Sequence, residues 1–351
     1  MANPRADNES PPRTDAAAKS DIAIVGAGPV GLFCVFECGM LDLRCFVLDA
    51  LEAPGGQCIA LYPEKPIYDI PGYPEISAGE LVDRLLAQAR PFHPILHLGQ
   101  PVTSLAKTAA GFRLATAKGV TVDAGAVIIA AGVGAFGPNR PPLKNLAQFE
   151  ASGAVQYLVK RRDDFAGKRV VIAGGGDSAV DWALSLGTIA GSLAVVHRRD
   201  KFRAAPESER RLRALAAEGK VELIVSYQLD TLEGSGGKLE AVIVKDLNGK
   251  ARRLPADVLL PFYGLAQDLG PIAGFGLNVE RNLIAVDPAT CATSAKGVFA
   301  VGDIVTYPGK LKLIVSGFAE AALAAHAARA YLRPGEVFHF EYSTTRGVPK
   351  P

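Results

Sequence analysis

Cysteine is scarce in this 351-residue chain and poorly placed for bridging. Cys34, Cys38, Cys45, Cys58 and Cys291 contain no CxxC pair, and no His/Cys set has zinc-ligand spacing. The odd count argues against a disulfide-stapled secreted scaffold and fits a reducing cytoplasm. Surplus charge is also missing. Thirty-eight basic residues face 36 acidic ones, and a net charge of +2 is too small for a nucleic-acid binder. No apolar run reaches the about 20 residues that a membrane-spanning helix needs. The apolar stretch 22–36 is broken by Gly26, Gly28, Pro29 and Gly31 and leads to no small-residue cleavage pattern, so it does not read as a signal peptide.

What remains is a chain able to bury a large core, with 49% hydrophobic residues and a length that suggests two domains. Residues 1–20 are polar and read as a flexible tail. Strand-like and helix-like segments then alternate, the α/β pattern. A first unit runs from a strand at 21–25 through a glycine turn and a helix ending near Met40 to a strand at 44–49. A second starts with a strand at 169–173 and continues through a glycine turn, a helix at 177–186 and a strand at 193–197. The pair reads as a duplicated βαβ module. Each carries an inserted antiparallel ribbon: runs 112–117, 120–122 and 127–130 in the first, and 221–227, 239–246 and 258–260 in the second. Residues 132–142, rich in Gly and Pro, form a linker, and a return near 291–297 is expected. The domain expectation is therefore 21–132, 133–291 and a return over 292–351. The fold class is α/β with two Rossmann-like dinucleotide-binding domains.

The first motif is Gly26-Ala27-Gly28-Pro29-Val30-Gly31. Gly26 permits the tight turn, Gly28 lets a pyrophosphate approach the backbone, and Gly31 allows close helix–strand packing. The helix N-terminus offers free N–H groups to phosphates. Asp49, ending the next strand, can accept hydrogen bonds from ribose hydroxyls. The second motif is Gly174-Gly175-Gly176-Asp177-Ser178-Ala179. Its second strand ends not in an acid but in His197-Arg198-Arg199-Asp200-Lys201-Phe202-Arg203. An acid there would repel a 2′-phosphate, whereas guanidinium groups bind it. This site reads as NADPH-preferring through Arg198, Arg199 and Arg203, with His197 beside them.

A third motif, Gly297-Val298-Phe299-Ala300-Val301-Gly302-Asp303, is alone no more than a turn. With the first motif it resembles the second FAD signature of the two-dinucleotide-domain flavoproteins, and 127–132 resembles their short connecting motif. That resemblance implies FAD in the first site, with Asp303 on the ribityl chain and Gln57 among the cofactor contacts. A helix over 313–332 follows; its N-terminal dipole would favour an anionic reduced flavin. Many of these flavoproteins are disulfide reductases, and cysteine placement separates them. Thioredoxin reductases carry CxxC just before the NADPH motif, yet residues 153–168 hold no cysteine. The glutathione-reductase type carries two cysteines after the ribose acid. Here Gly55-Gly56-Gln57-Cys58 supplies one, and Pro63 stands where its partner would be. Cys34 and Cys38, one helical turn apart, read as core residues.

Leu61-Tyr62-Pro63-Glu64-Lys65, GGGDSAVDWA from Gly174, HRRDKFRA from His197 and GDIVTYPGKLKLI from Gly302 resemble the ferredoxin–NADP+ reductases of the thioredoxin-reductase-like type. The resemblance spans about residues 20–345. It implies a homodimer with one FAD per subunit that moves electrons between ferredoxin and NADP+, with flavodoxin as a second candidate carrier. It implies that Tyr62 and Tyr342, the latter in Glu341-Tyr342-Ser343-Thr344, cover opposite flavin faces, with Ser343 near the reacting nitrogen. It also implies a swing of the NADPH domain against the FAD domain. An NADPH-dependent flavin or quinone reductase is the rival within the class, and a non-enzymatic NADPH-binding regulator the rival outside it.

Overall fold

The computed structural model describes residues 17–336 and 343–349. Four short apolar runs decide the architecture. Ile22–Val25, Cys45–Leu48, 170–173 and Val258–Pro261 are buried at every position rather than alternately. Such runs suit parallel strands covered on both faces, and that is where they lie.

The first unit is a seven-stranded sheet. Ile95–His97, Cys45–Leu48, Ala18–Val25, Thr121–Ile129 and Val298–Ala300 run parallel. Gly111–Thr116 and Val102–Thr108 extend the sheet as an antiparallel ribbon. Two cores flank it. One holds Leu32, Val35, Cys34 and Cys38 of helix Pro29–Met40 against the apolar faces of helices Ala78–Ala89 and Ile314–Leu332. Pro29 opens the first helix, where its missing N–H leaves nothing unpaired. Ser77 caps the second by accepting from the Glu80 amide at 3.1 Å. The other core packs Phe46, Leu48, Ile129 and Val298 against Leu269, Ile272, Leu277 and Ile284. Each fully buried Ile or Leu here contributes roughly 1.5–3 kcal/mol.

The second unit is a parallel sheet ordered Glu222–Val225, Ser192–His197, Arg169–Ala173, Val258–Pro261. Beside it lies a separate antiparallel ribbon of Tyr227–Ser235, Lys238–Asp246 and Ala251–Pro255. Ser235 pairs with Lys238 across Gly236 and Gly237, whose φ values of +56° and +79° supply the hairpin turn.

Several expectations are corrected here. The first strand begins at Ala18, and Ala18, Lys19 and Ser20 pair with Val122, Asp123 and Ala124, inside the segment read as tail. Runs 120–122 and 127–130 fall largely in one strand, Thr121–Ile129, whose one edge pairs parallel with Ala18–Val25 while its other edge pairs first with the ribbon and then with Val298–Ala300. Run 221–227 splits into Glu222–Val225 of the parallel sheet and the start of the ribbon strand Tyr227–Ser235. Run 258–260 is a parallel strand and not ribbon; the third ribbon strand is Ala251–Pro255. Within the expected linker 132–142, Ala135–Pro138 pairs antiparallel with Leu265–Asp268. Leu269, Ile272 and Leu277, which precede the expected return near 291, pack in the core beside the first sheet.

Candidate cofactor sites

The carboxyl ends of the first sheet's strands open into a cavity of about 420 Å3. Gly26, Gly28, Asp49, Gln57, Tyr62 and Asp303 all line it, with Leu48, Val102 and Ile272 as apolar wall. The glycines differ in what surrounds them. Gly26 has φ +112°, and a Cβ there would lie 2.3 Å from the Ala130 carbonyl oxygen. At Gly31 a Cβ would lie 1.9 Å from the Gly26 oxygen. At Gly28 the nearest atom to a Cβ is Gly56 Cα at 4.0 Å, so that position faces space a ligand can fill. A dinucleotide pyrophosphate fits that cradle.

Asp49 is 8% exposed and already engaged. The Ala27 amide donates to Oδ2, and the Leu51 amide donates to Oδ1 at 2.7 Å. Burial pushes its carboxyl up, while those two amides pull it down. A carboxylate has about four acceptor positions, so ribose hydroxyls can still bind. Asp303 is likewise raised by burial, with Lys310 and Lys312 opposing. Gln57 starts the short helix Gln57–Leu61, and its Nε2 would stand 3.3 Å from a Cβ on Gly132. Leu313 and Ile314 also line the cavity, at the N-terminus of helix Ile314–Leu332, which has no side-chain cap.

Tyr62 terminates Gln57–Leu61 and packs against both the first unit's core and the second's. Its hydroxyl lies 3.9 Å from the Cys58 sulfur, and burial raises it well above the usual phenol range. The rest of its loop reaches the second unit. Lys65 pairs with Asp181 at 2.8 Å, and Glu64 accepts from the Arg162 amide at 3.1 Å. Tyr342 lies outside the described residues. Ser343 begins the four-residue helix Ser343–Arg346.

In the second unit, a Cβ on Gly174 would come within 2.6 Å of the Phe262 oxygen and 3.0 Å of Ala179 Cβ. Gly176 has nothing within 4 Å of that position and caps helix Asp177–Leu186. Asp177 accepts from the Ala205 amide at 3.0 Å, and Ser178 is exposed at the helix start. The Arg203 amide donates to Gly175 O at 2.6 Å, which seats the HRRDKFR segment beside the second glycine turn. Arg198, Arg199 and Arg203 are exposed. Arg210 and Arg213 on the next helix are paired with Glu207 and Glu209, whereas the first three have no carboxylate partner among the described residues.

His197 does not join that exposed cluster. It is 8% exposed, stacks on Phe202 with ring centroids 5.2 Å apart, and lies where a Gly175 Cβ would approach its ring to 2.2 Å. Burial lowers its pKa, a backbone hydrogen bond at Lys201 opposes, and the arginines push the same way as burial. All five cysteines are free and buried. Sequence reading missed Glu320, which holds the Gly302–Lys310 loop from behind; its one signal is an acid set in an Ala-rich apolar helix.

Residues 20–328 match the family of pyridine nucleotide-disulphide oxidoreductases. A curated ferredoxin–NADP reductase from Paramagnetospirillum magneticum is 64% identical over 95% of this chain and 98% of its own length. The ferredoxin–NADP reductase of Rhodospirillum rubrum is 62% identical over 94% and 97%. Among solved structures, thioredoxin reductase from T. acidophilum aligns with TM-score 0.79 at 23% identity, covering 89% of this chain and 98% of that one. At that identity the likeness shows the fold. The chain thus belongs to the pyridine nucleotide-disulphide oxidoreductase family and to its ferredoxin–NADP reductase branch.

Proposed function

We propose that this protein moves electrons between NADP(H) and ferredoxin through FAD. The observation that carries the reading is the coexistence, in one chain, of the glycine-cradled cavity ending at Asp303 and a second glycine turn flanked by three guanidiniums with no carboxylate partner among the described residues. The relatives' shared name supplies the partner. Bound FAD supplies the redox chemistry, exchanging electron pairs with the nicotinamide and single electrons with the protein partner.

The chain's residues bind, orient and shield. Gly26, Gly28 and the start of helix Pro29–Met40 hold the pyrophosphate, Asp49 the ribose and Asp303 the ribityl chain. Tyr62 covers one flavin face, and Tyr342 with Ser343 the other. Gly174, Gly176 and Ala179 shape the NADPH turn, with Asp177 and Ser178 at its helix start. Arg198, Arg199 and Arg203 hold the 2′-phosphate, while His197 supports the turn from beneath. Leu48, Val102 and Ile272 keep water from the cavity. Homodimer assembly, a cytoplasmic location and flavodoxin as a second carrier belong to the same proposal. They rest on the Gly302–Ile314 resemblance and the unbridged cysteines.

NADPH-driven reduction of cytochrome c, with and without added ferredoxin, tests the reading. The rate should depend on ferredoxin and fall with salt, because steering of an acidic partner is screened within about 8 Å at physiological ionic strength. Equal rates with free FMN in place of ferredoxin would make it a flavin reductase instead.

A further inference from the structure

Glu320 is the one acid in helix Ile314–Leu332 and is 3% exposed. Its Oε2 accepts the Gly302 amide at 2.7 Å. Its Oε1 accepts the Tyr307 hydroxyl at 2.7 Å and pairs with the Lys310 ammonium. The two charged side chains are 6% and 4% exposed. All three partners belong to the loop that carries Asp303 into the cavity wall, yet neither Glu320, Tyr307 nor Lys310 lines the cavity. Lys310 and Glu320 act on Asp303 with opposite signs, and on Cys291 as well. An apolar residue would fill this place more cheaply than a buried ion pair if packing were all that was needed.

We propose that Glu320 is a positioning residue for the flavin: its carboxylate locks the Gly302–Lys310 loop against the helix and cancels the Lys310 charge next to the cavity, setting the flavin's affinity and potential. The inference rests on the FAD reading above. A reduced flavin is more negative than an oxidised one, so an uncancelled Lys310 charge favours reduction and an uncancelled Glu320 charge opposes it.

The test measures FAD dissociation and flavin potential by dye equilibration in the purified holoprotein. Glu320→Gln should raise the reduced-to-oxidised ratio at fixed poise about tenfold, which is about 30 mV for a two-electron couple. Lys310→Met should move the potential the other way, and the double variant should return near wild type. Tyr307→Phe removes a hydrogen bond without changing charge, so it should alter FAD affinity and leave the potential in place. If Glu320→Gln does not fold, the sign of the Lys310→Met shift decides. Wild-type potentials in both single variants overturn the inference alone. A wild-type protein that holds no FAD overturns the flavin reading and this inference with it.

Discussion

Gly28 and Gly31 are three residues apart and differ in what a methyl group would meet. At Gly31 it would strike the Gly26 carbonyl at 1.9 Å; at Gly28 the nearest atom is 4.0 Å away. Gly31→Ala should therefore destabilise the FAD-free protein by roughly 1–3 kcal/mol through overpacking. Gly28→Ala should melt at the wild-type temperature and lose FAD affinity. Thermal melts of the FAD-free proteins and equilibrium dialysis with FAD check the pair; equal loss of melting temperature in both would refute the division of labour. Cys58 gives a second prediction at this scale. Burial pushes its thiol up to about 11, with the Tyr62 hydroxyl opposing. At pH 8 only about one part in a thousand is then thiolate, the reactive form. Cys58→Ser should keep FAD and turn over ferredoxin at close to the wild-type rate. Lost turnover with flavin still bound would show that the cysteine takes part.

At the scale of elements, the HRRDKFR segment carries the sharpest expectation. Arg198→Ala and Arg199→Ala should each weaken NADPH by about 1.5–3 kcal/mol, the worth of a charge-assisted contact, and leave NADH nearly untouched. Titration of both nucleotides checks this, and equal weakening would refute the 2′-phosphate assignment. Elements with one consistent environment were legible in the sequence: strand Arg169–Ala173 and helix Asp177–Leu186 stand within the bounds their residues suggested. Strand Thr121–Ile129 was not, because it changes environment midway. Its burial alternates over the half that pairs with the ribbon and is continuous over the half that pairs with Val298–Ala300, and Asp123 and Gly125 fall near the change. Val258–Pro261 was visible as a strand but not as a parallel one, since periodicity does not name a partner. His197 read as part of a basic cluster because it is adjacent in sequence; strand alternation and Phe202 turn it inward. Glu320 was hidden because its partners, Gly302, Tyr307 and Lys310, are brought to it by a loop whose path only tertiary structure fixes.

At the scale of the whole molecule, two Rossmann units are joined by paired strands and by a loop. Strands Ala135–Pro138 and Leu265–Asp268 carry the chain across and pair with each other. Gly134 sits at their edge with φ +79°, where a Cβ would lie 2.2 Å from the Asp268 oxygen. The other junction is the Tyr62–Lys65 loop, joined to the second unit by Lys65–Asp181 and by Glu64 with the Arg162 amide. None of Gly174, Gly176, Arg198, Arg199 or Arg203 lines the cavity of the first unit. The swing that the family resemblance implies would turn about the paired strands and release the loop contacts. The Lys65–Asp181 pair is partly solvated, with side chains 22% and 33% exposed. Such pairs hold about 0–1 kcal/mol, so losing one changes a conformational balance by up to about fivefold. Lys65→Met should accordingly speed flavin reduction at saturating NADPH by up to about fivefold, with FAD affinity unchanged. Salt should do the same to the wild type by screening the pair, and do little to the variant. Stopped-flow traces of both proteins at low and high salt make the comparison. Identical rates with identical salt dependence would mean that the loop contact does not govern the movement and that the paired strands alone set its pace.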